Sequence, residues 1–264
     1  MFRHAIVRRP GPNFADGVTT SGLGAPEFEV ALAQHEAYCA ALRRCGLELI
    51  VLEADSRYPD GCFVEDVAVV TPCGAILTRP GAPSRQGEAG AFRDTLARFF
   101  PGHAAIASPG TLEGGDICEA DGHYLIGVSE RTNEEGARQL AEWLAGLGYT
   151  SACVDIRGRR DILHLKSGIA YMGEPPDGAG AGGTLVVWEA LADHPAFAGY
   201  RLIRVPPAES YAANCVRANE HVLLPAGYPG VQAALADAGY DVIALEVSEY
   251  RKMDGGLSCL SVRF

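Results

Sequence analysis

The chain of 264 residues is 48% hydrophobic and 21% charged, with 32 Gly and 16 Pro, which supplies a full apolar core for one or two domains and excludes a disordered chain. Its 33 acidic and 22 basic residues leave a formal charge of −11, and no Lys/Arg run exceeds two residues, so nucleic acid and an anionic membrane are disfavoured as partners and a small cation is favoured. No apolar stretch approaches the ~18 residues needed to span a bilayer, and the start MFRHAIVRRPG lacks the apolar core of a signal peptide, so a cytoplasmic location is expected.

HAIVRRP reads as a first strand, followed by a long loop from Gly11 to Pro26 and a helix from Glu27 to Arg44 with apolar residues at helical spacing. Next come RRCGLELIVLE, with a helix stop at Gly46 and a strand, and then FVEDVAVVTPCGAILTRP, a hairpin turning at Pro72 to Gly74. A helix from Ser84 to Phe99 starts at a cap-type serine and leads to Gly102 and HAAIA. GDICEADGHYLIGVS turns at Asp121-Gly122, and Thr132-Asn133-Glu134-Glu135 opens a capped helix to Leu147, ahead of Gly148 and YTSACVDI. ILHLKSGIAYMG, a loop from Pro175 to Gly183, AFAGYRLIRV with Gly199, NCVRANEHVLLP turning at Ala218-Asn219, LADAGYDVIALEV with Gly239 and the terminal LSCLSVRF complete the chain.

A helix stop followed by a strand thus occurs five times, at glycines 56, 46, 51 and 40 residues apart, which predicts five like units of one α/β fold. LSCLSVRF lacks a partner that HAIVRRP can supply, closing the units into a ring. The head of each unit's second strand carries Asp66, Asp116 with Glu113, His164, Asn214 and Cys259, at intervals of 50, 48, 50 and 45. Equivalent positions around an axis face one cavity, so a thiol, an imidazole and several carboxylates are expected to meet there. That set suits nucleophilic catalysis: a thiolate attacks, a His moves protons, and a carboxylate orients the imidazole.

Taken singly, each of the eight cysteines reads as a buried inert thiol. Gly178-Ala179-Gly180-Ala181-Gly182-Gly183 contains a formal GxGxxG, but it precedes the strand-like TLVVWEA instead of following a strand into a helix, so it reads as a flexible loop.

FVEDVAVV, LTRPGAPSRQGE, LEGGD, GVSERTNEEG, LHLKSG, AANC and KMDGGLSCLSV resemble, from about Gly17 to the C-terminus, the dimethylarginine dimethylaminohydrolase family of the guanidine-modifying (pentein) superfamily. The resemblance implies a single catalytic domain over residues 1–264, a five-bladed α/β propeller of ββαβ pseudo-repeats around a central active-site cavity. It implies Cys259 as nucleophile, His164 as general acid/base and Glu113 as its orienting carboxylate. Glu65 and Asp66 match carboxylates that bind the guanidinium, with Asp254 at its edge, and Asp60 resembles the ligand of the α-amino group. Arg85 and Arg131 match the clamp on the α-carboxylate, and Val18 lies in a lid loop from Gly17 to Pro26 that contributes a backbone carbonyl.

The implied reaction is hydrolysis of Nω-methylated L-arginines to L-citrulline and methylated amine through a covalent Cys259 intermediate. No metal or organic cofactor is implied, although Zn²⁺ held adventitiously by the Cys/His pair would inhibit. The implied partner is a small cationic amino acid, and the protein a monomer or homodimer. Two alternatives stay open on sequence: a related amidine hydrolase acting on arginine, citrulline or another guanidino or ureido amino acid, and a catalytically inert propeller used as a binding module.

Overall fold

A computed structural model describes residues 1–159, 161–174 and 182–264. Most of the glycine-rich loop read at Pro175 to Gly183 lies outside the described residues. Five three-stranded sheets form the blades of an α/β propeller. Blade one joins β1 (His4–Arg8) and β2 (Glu48–Leu52) to the terminal strand β15 (Val262–Arg263). Blade two holds β3 (Ala68–Thr71), β4 (Gly74–Leu77) and β5 (Ala104–Ala105), and blade three β6 (Ile117–Ala120), β7 (His123–Val128) and β8 (Thr150–Asp155). Blade four holds β9 (Ile169–Tyr171), β10 (Thr184–Trp188) and β11 (Arg201–Val205), and blade five β12 (Val216–Ala218), β13 (His221–Pro225) and β14 (Asp241–Leu245).

Each blade follows one pairing rule, in which the middle strand runs antiparallel to the first and parallel to the third. A parallel pair needs a crossover connection. It is supplied by α1 (Phe28–Arg44), α2 (Glu88–Ala97), α3 (Glu134–Gly146) and α4 (Pro229–Asp237) in blades one, two, three and five. In blade four two short 3₁₀ turns, Glu189–Leu191 and Pro195–Phe197, replace the helix. Pro195 lacks the N–H and the space for a helix interior. Gly199 consequently is not the left-handed helix stop expected of it, whereas Gly46, Gly102, Gly148 and Gly239 do take positive φ of 80 to 87°.

The ring closes as read, with Ala5 opposite Arg263 and Ile6 opposite Val262. This pairing anchors the C-terminal segment that carries Cys259. The helix expected from Ser84 begins instead at Glu88, after a 3₁₀ turn over Pro83–Arg85, and Ser84 caps nothing. Asn133 does cap α3, its side chain accepting from the Gly136 N–H at 2.8 Å. Six of the eight cysteines are buried, while Cys73 and Cys153 are exposed; Cys73 sits in the tight turn between β3 and β4, where there is no layer to cover it.

The sheets are covered outside by helices whose apolar stripes face inward. On α3, Ala137, Leu140 and Leu144 are buried with Tyr124 and Ile126 of β7, and each buried leucine contributes about 1.5–3 kcal/mol. Two glycines on this helix give a direct test of the packing. A Cβ on Gly136 would lie 1.9 Å from the Thr111 carbonyl oxygen, whereas one on Gly146 would meet nothing within 4 Å. Gly136→Ala is therefore expected to cost about 1–3 kcal/mol, and Gly146→Ala to be neutral or to stabilise by up to about 1 kcal/mol. Thermal unfolding of the two variants checks the order, and equal midpoints would contradict the packing described.

Candidate active site

A short 3₁₀ turn precedes the first strand of every blade, at Val64–Val67, Gly114–Asp116, Leu165–Ser167, Pro207–Ala213 and Ser258–Leu260. The polar residues predicted from the repeats lie in or beside these turns, and several clasp the next blade. Asp66 Oδ1 accepts from the Gly115 N–H at 3.0 Å, and Asp116 Oδ1 from the Leu165 N–H at 2.9 Å. Asn214 Nδ2 donates to the Lys166 carbonyl at 2.8 Å, and Asn214 Oδ1 accepts from the Ser258 N–H at 3.0 Å. Arg263 reaches Glu65 Oε1 at 3.5 Å, joining blade one to blade two. The equivalent positions thus divide their work. Asp116, bonded also by the Ser129 hydroxyl at 2.7 Å, has a structural task, while His164 and Cys259 keep groups for a ligand.

A narrow cleft lies at the centre, partly open to solvent. Nine of the ten predicted site residues line it, namely Val18, Asp60, Asp66, Arg85, Glu113, Arg131, His164, Asp254 and Cys259. Its apolar wall is Phe63, Leu163 and Met253, which the sequence did not single out because they look like any core residue. Glu65 stands apart. Its Oε1 is ion-paired with Lys166 and lies 3.5 Å from Arg263, while its buried Oε2 has no hydrogen-bond partner among the described residues. Lys166, two residues beyond His164, is a participant that sequence reading missed.

His164 Nε2 lies 2.7 Å from Glu113 Oε2, and Glu113 Oε1 accepts from the Gly81 N–H at 3.0 Å. Burial by itself would lower the imidazole pKa, but the charge of Asp66, the hydrogen bond to Glu113 and the charge of Asp116 outweigh it and raise it to about 9. Burial likewise opposes ionisation of Glu113, yet the His164 partner prevails and holds its carboxyl below the ordinary range. At neutral pH the pair is imidazolium and carboxylate. Around Cys259 the balance is reversed: burial, then the charges of Glu65 and Asp66, push the thiol up to about 12.

Arg85 is held on all sides. Its Nη1 is 2.6 Å from Asp66 Oδ2, its Nε and Nη2 grip Glu88 at 3.0 and 2.8 Å, and Nη2 also reaches the Phe63 carbonyl at 3.2 Å. Of five guanidinium N–H groups, one on Nη1 is left for a ligand. The spacing of Arg85 and Glu88 within SRQGE, three residues apart, was the signal in the sequence for this pairing. Arg131 is looser, with Nη1 3.9 Å from Glu113 Oε1. Both oxygens of Asp60 accept from the Val18 N–H at 3.2 and 3.1 Å. Val18 therefore presents its N–H to Asp60. Asp254, at φ 57°, accepts from the Thr20 N–H at 2.5 Å and its hydroxyl at 3.0 Å, tying the loop after Gly17 across the cleft mouth.

Asp66, Glu113 and His164 bring three ligand-type atoms within 4.8 Å of one another. His164 Nε2 and Asp66 Oδ2 are engaged by Glu113 and Arg85, and Asp66 Oδ1 by the Gly115 N–H. The pH dependence of stability tests the charge states. Because the folded pKa of His164 lies above the ordinary 6.5, its contribution is full below about pH 6.5 and is lost as pH rises through about 9. Urea unfolding is expected to show a loss on the order of 3 kcal/mol across that window, much reduced in Glu113→Gln. A wild-type stability flat from pH 6.5 to 9 would contradict the assignment.

Among known proteins, the family model described as N,N dimethylarginine dimethylhydrolase, eukaryotic, matches residues 26–175. N(G),N(G)-dimethylarginine dimethylaminohydrolase of Pseudomonas aeruginosa is 44% identical over 100% of both chains, and that of Streptomyces coelicolor is 33% identical over 99% of this chain and 96% of its own. Among solved structures, a Cys-to-Ser variant of the Pseudomonas aeruginosa enzyme complexed with citrulline superposes with a TM-score of 0.94 at 43% identity, covering 100% of both chains. The N-terminal domain of ArgZ, an arginine dihydrolase from cyanobacteria, shares the fold at a TM-score of 0.86 with 18% identity, covering 100% of this chain and 97% of its own. With that identity over its whole length and these motifs in one cleft, the chain belongs to the dimethylarginine dimethylaminohydrolase family.

Proposed function

We propose that the protein hydrolyses Nω-methylated L-arginines to L-citrulline and methylamine or dimethylamine, with residues 1–264 acting as one catalytic domain on a small cationic substrate. The observation that carries the reading is a neutral thiol and a charged imidazole in one cleft lined by carboxylates. Four lining carboxylates, Asp60, Asp66, Glu113 and Asp254, face three lining cations, Arg85, Arg131 and His164. The excess negative charge matches a substrate that carries a guanidinium, an ammonium and a carboxylate.

Binding sets the charge state of the nucleophile. A guanidinium about 4 Å from the sulfur contributes about 4 kcal/mol at an effective dielectric near 20, a roughly thousandfold gain in thiolate. The thiol proton leaves to solvent, and the thiolate attacks the guanidinium carbon, forming an S–C bond and a neutral tetrahedral adduct. His164 gives its proton to the methylated nitrogen, the C–N bond breaks, and the amine departs, leaving an S-alkylthiouronium cation on Cys259. Neutral His164 then takes a proton from water as the oxygen adds to the same carbon; the C–S bond of this adduct breaks, its hydroxyl proton passes to the departing sulfur to restore the thiol, and citrulline is released. Asp66 faces the developing cation, Arg131 and the free Arg85 N–H suit the α-carboxylate, and Asp60 suits the α-amino group. The apolar wall of Phe63, Leu163 and Met253 suits the aliphatic chain and N-methyl groups.

No described helix is long and apolar enough to cross a membrane. The proposed site of action is the cytoplasm, and the proposed active form a monomer or homodimer. Citrulline release from dimethylarginine, monomethylarginine and arginine tests the substrate class, and faster turnover of arginine would favour a plain arginine hydrolase. Cys259→Ser is expected to lose at least a thousandfold in kcat while staying folded, because a hydroxyl ionises far less readily than a thiol. A cationic alkylating amidine is expected to outpace neutral iodoacetamide at Cys259 by about a hundredfold more than it does on a free thiol in solution. Equal selectivity on protein and free thiol would contradict activation by the bound cation.

A further inference from the structure

Of the five residues that open the blades, Asn214 has no part in the chemistry above, yet it is buried beside the nucleophile and every polar atom of its amide is used. Oδ1 accepts from the Ser258 N–H at 3.0 Å, and Nδ2 donates to the Lys166 carbonyl at 2.8 Å and to the Ser258 hydroxyl oxygen at 3.0 Å. These partners fix the amide's orientation, since rotating it would set N–H against N–H and oxygen against carbonyl. Room for the approach comes from Gly256, where a Cβ would lie 2.3 Å from Asn214 Oδ1.

The consequence falls on Ser258. Its oxygen is occupied by the Asn214 amide, so its own hydrogen must find another acceptor. Among the described residues the remaining polar neighbour of that hydroxyl is Cys259 Sγ, at 3.9 Å. We propose that Ser258 donates its hydroxyl hydrogen to the Cys259 thiolate, and that Asn214 is the positioning residue that holds Ser258 by both its backbone and its hydroxyl for that purpose. The contact is long for a neutral thiol and tightens when the sulfur is charged, as charge-assisted hydrogen bonds do.

A donor of this kind has work to do in this cleft. The charges of Glu65 and Asp66 oppose the thiolate, and a backbone hydrogen bond from Gly256 and then the charge of Lys166 favour it; His164 and Asp254 share the cleft with Cys259, and Tyr211, whose phenol donates to the Gly255 carbonyl at 2.8 Å, stands nearby. Ser258 is a neutral group that can favour the thiolate without repelling the substrate cation, which an extra lysine would do. Asn214 also spans blade four and blade one, so the junction that holds the nucleophile in register is the same one that aims its donor.

The proposal rests on Cys259 being the nucleophile of the reaction above, and its test reads the thiol directly. Wild type, Ser258→Ala, Ser258→Thr and Asn214→Asp are treated with iodoacetamide from pH 6 to 10, and modification of Cys259 is followed by peptide mass spectrometry beside steady-state kinetics with dimethylarginine. Ser258→Ala is expected to shift the alkylation profile to higher pH and to lose about tenfold in kcat with KM within twofold of wild type, and Ser258→Thr to restore both. Asn214→Asp, which keeps the acceptor for the Ser258 N–H and loses both donors, is expected to shift the profile in the same direction. An unchanged profile in Ser258→Ala overturns the proposal, even if kcat falls. If Ser258→Ala is not recovered folded, an unchanged profile in Asn214→Asp overturns it instead. A wild-type enzyme inactive on methylarginines would refute the substrate reading and leave the alkylation test of Ser258 standing.

Discussion

Charges buried at the axis of the ring are held by ion pairs or by hydrogen bonds to neighbouring segments. An unpartnered carboxylate or imidazolium in such a site costs several kcal/mol, and most of the partners that avoid this come from distant stretches of chain, Glu88 being the local exception beside Arg85. Glu113 of blade three meets His164 of blade four at 2.7 Å, and Asp66 meets Arg85 at 2.6 Å while Glu88 takes the other edge of that guanidinium. Removing one member strands the next. The centre therefore depends on all five blades being in register, and register depends on the clasps between blades and on the closure of β1 against β15.

The same pairing sets the chemistry. Carboxylates that stabilise the His164 cation also discourage ionisation of Cys259, so in the proposed reaction the acid is ready at rest and the nucleophile is not. The missing positive charge is the one the substrate carries. A resting thiol under these conditions resists adventitious alkylation and oxidation, since the thiolate is the reactive form. Selectivity for a cation thus follows from the charge balance of the cleft as well as from its shape. Arg85, nearly saturated by Asp66 and Glu88, is a fixed wall with one N–H to offer, whereas Arg131, 3.9 Å from Glu113, is the cation proposed to take most of the substrate's carboxylate.

The blades were legible in the sequence because helix stops, hairpin turns and apolar strands are local signals repeated about every fifty residues. The equivalence of Asp66, Asp116, His164, Asn214 and Cys259 followed from that spacing, and Asp66, His164 and Cys259 do line one cleft, while Asp116 and Asn214 stand outside its lining. What the spacing could not separate was function from scaffolding, since Asp116 and Asn214 sit at equivalent positions and bond mainly to backbone of neighbouring blades. Glu65 and Asp66 are adjacent, and successive residues in a turn point apart, so one faces the cleft and the other meets Lys166. Blade four departs from the pattern because Pro195 interrupts a connection that elsewhere is helical. The helix after Ser84 starts late because Arg85 is drawn inward to Asp66, a long-range pull that no cap residue announces.

The central claim is that the guanidinium carbon becomes bonded to Cys259 before water reaches it. Acid quenching of the enzyme during steady-state turnover of dimethylarginine, followed by peptide mass spectrometry, measures this directly. A fraction of the Cys259 peptide is expected to be heavier by the mass of the substrate less dimethylamine, disappearing as substrate is exhausted, with citrulline made in [¹⁸O]water carrying one labelled ureido oxygen. Labelled citrulline formed at full rate with the Cys259 peptide never modified, or with the adduct on another residue, would contradict it.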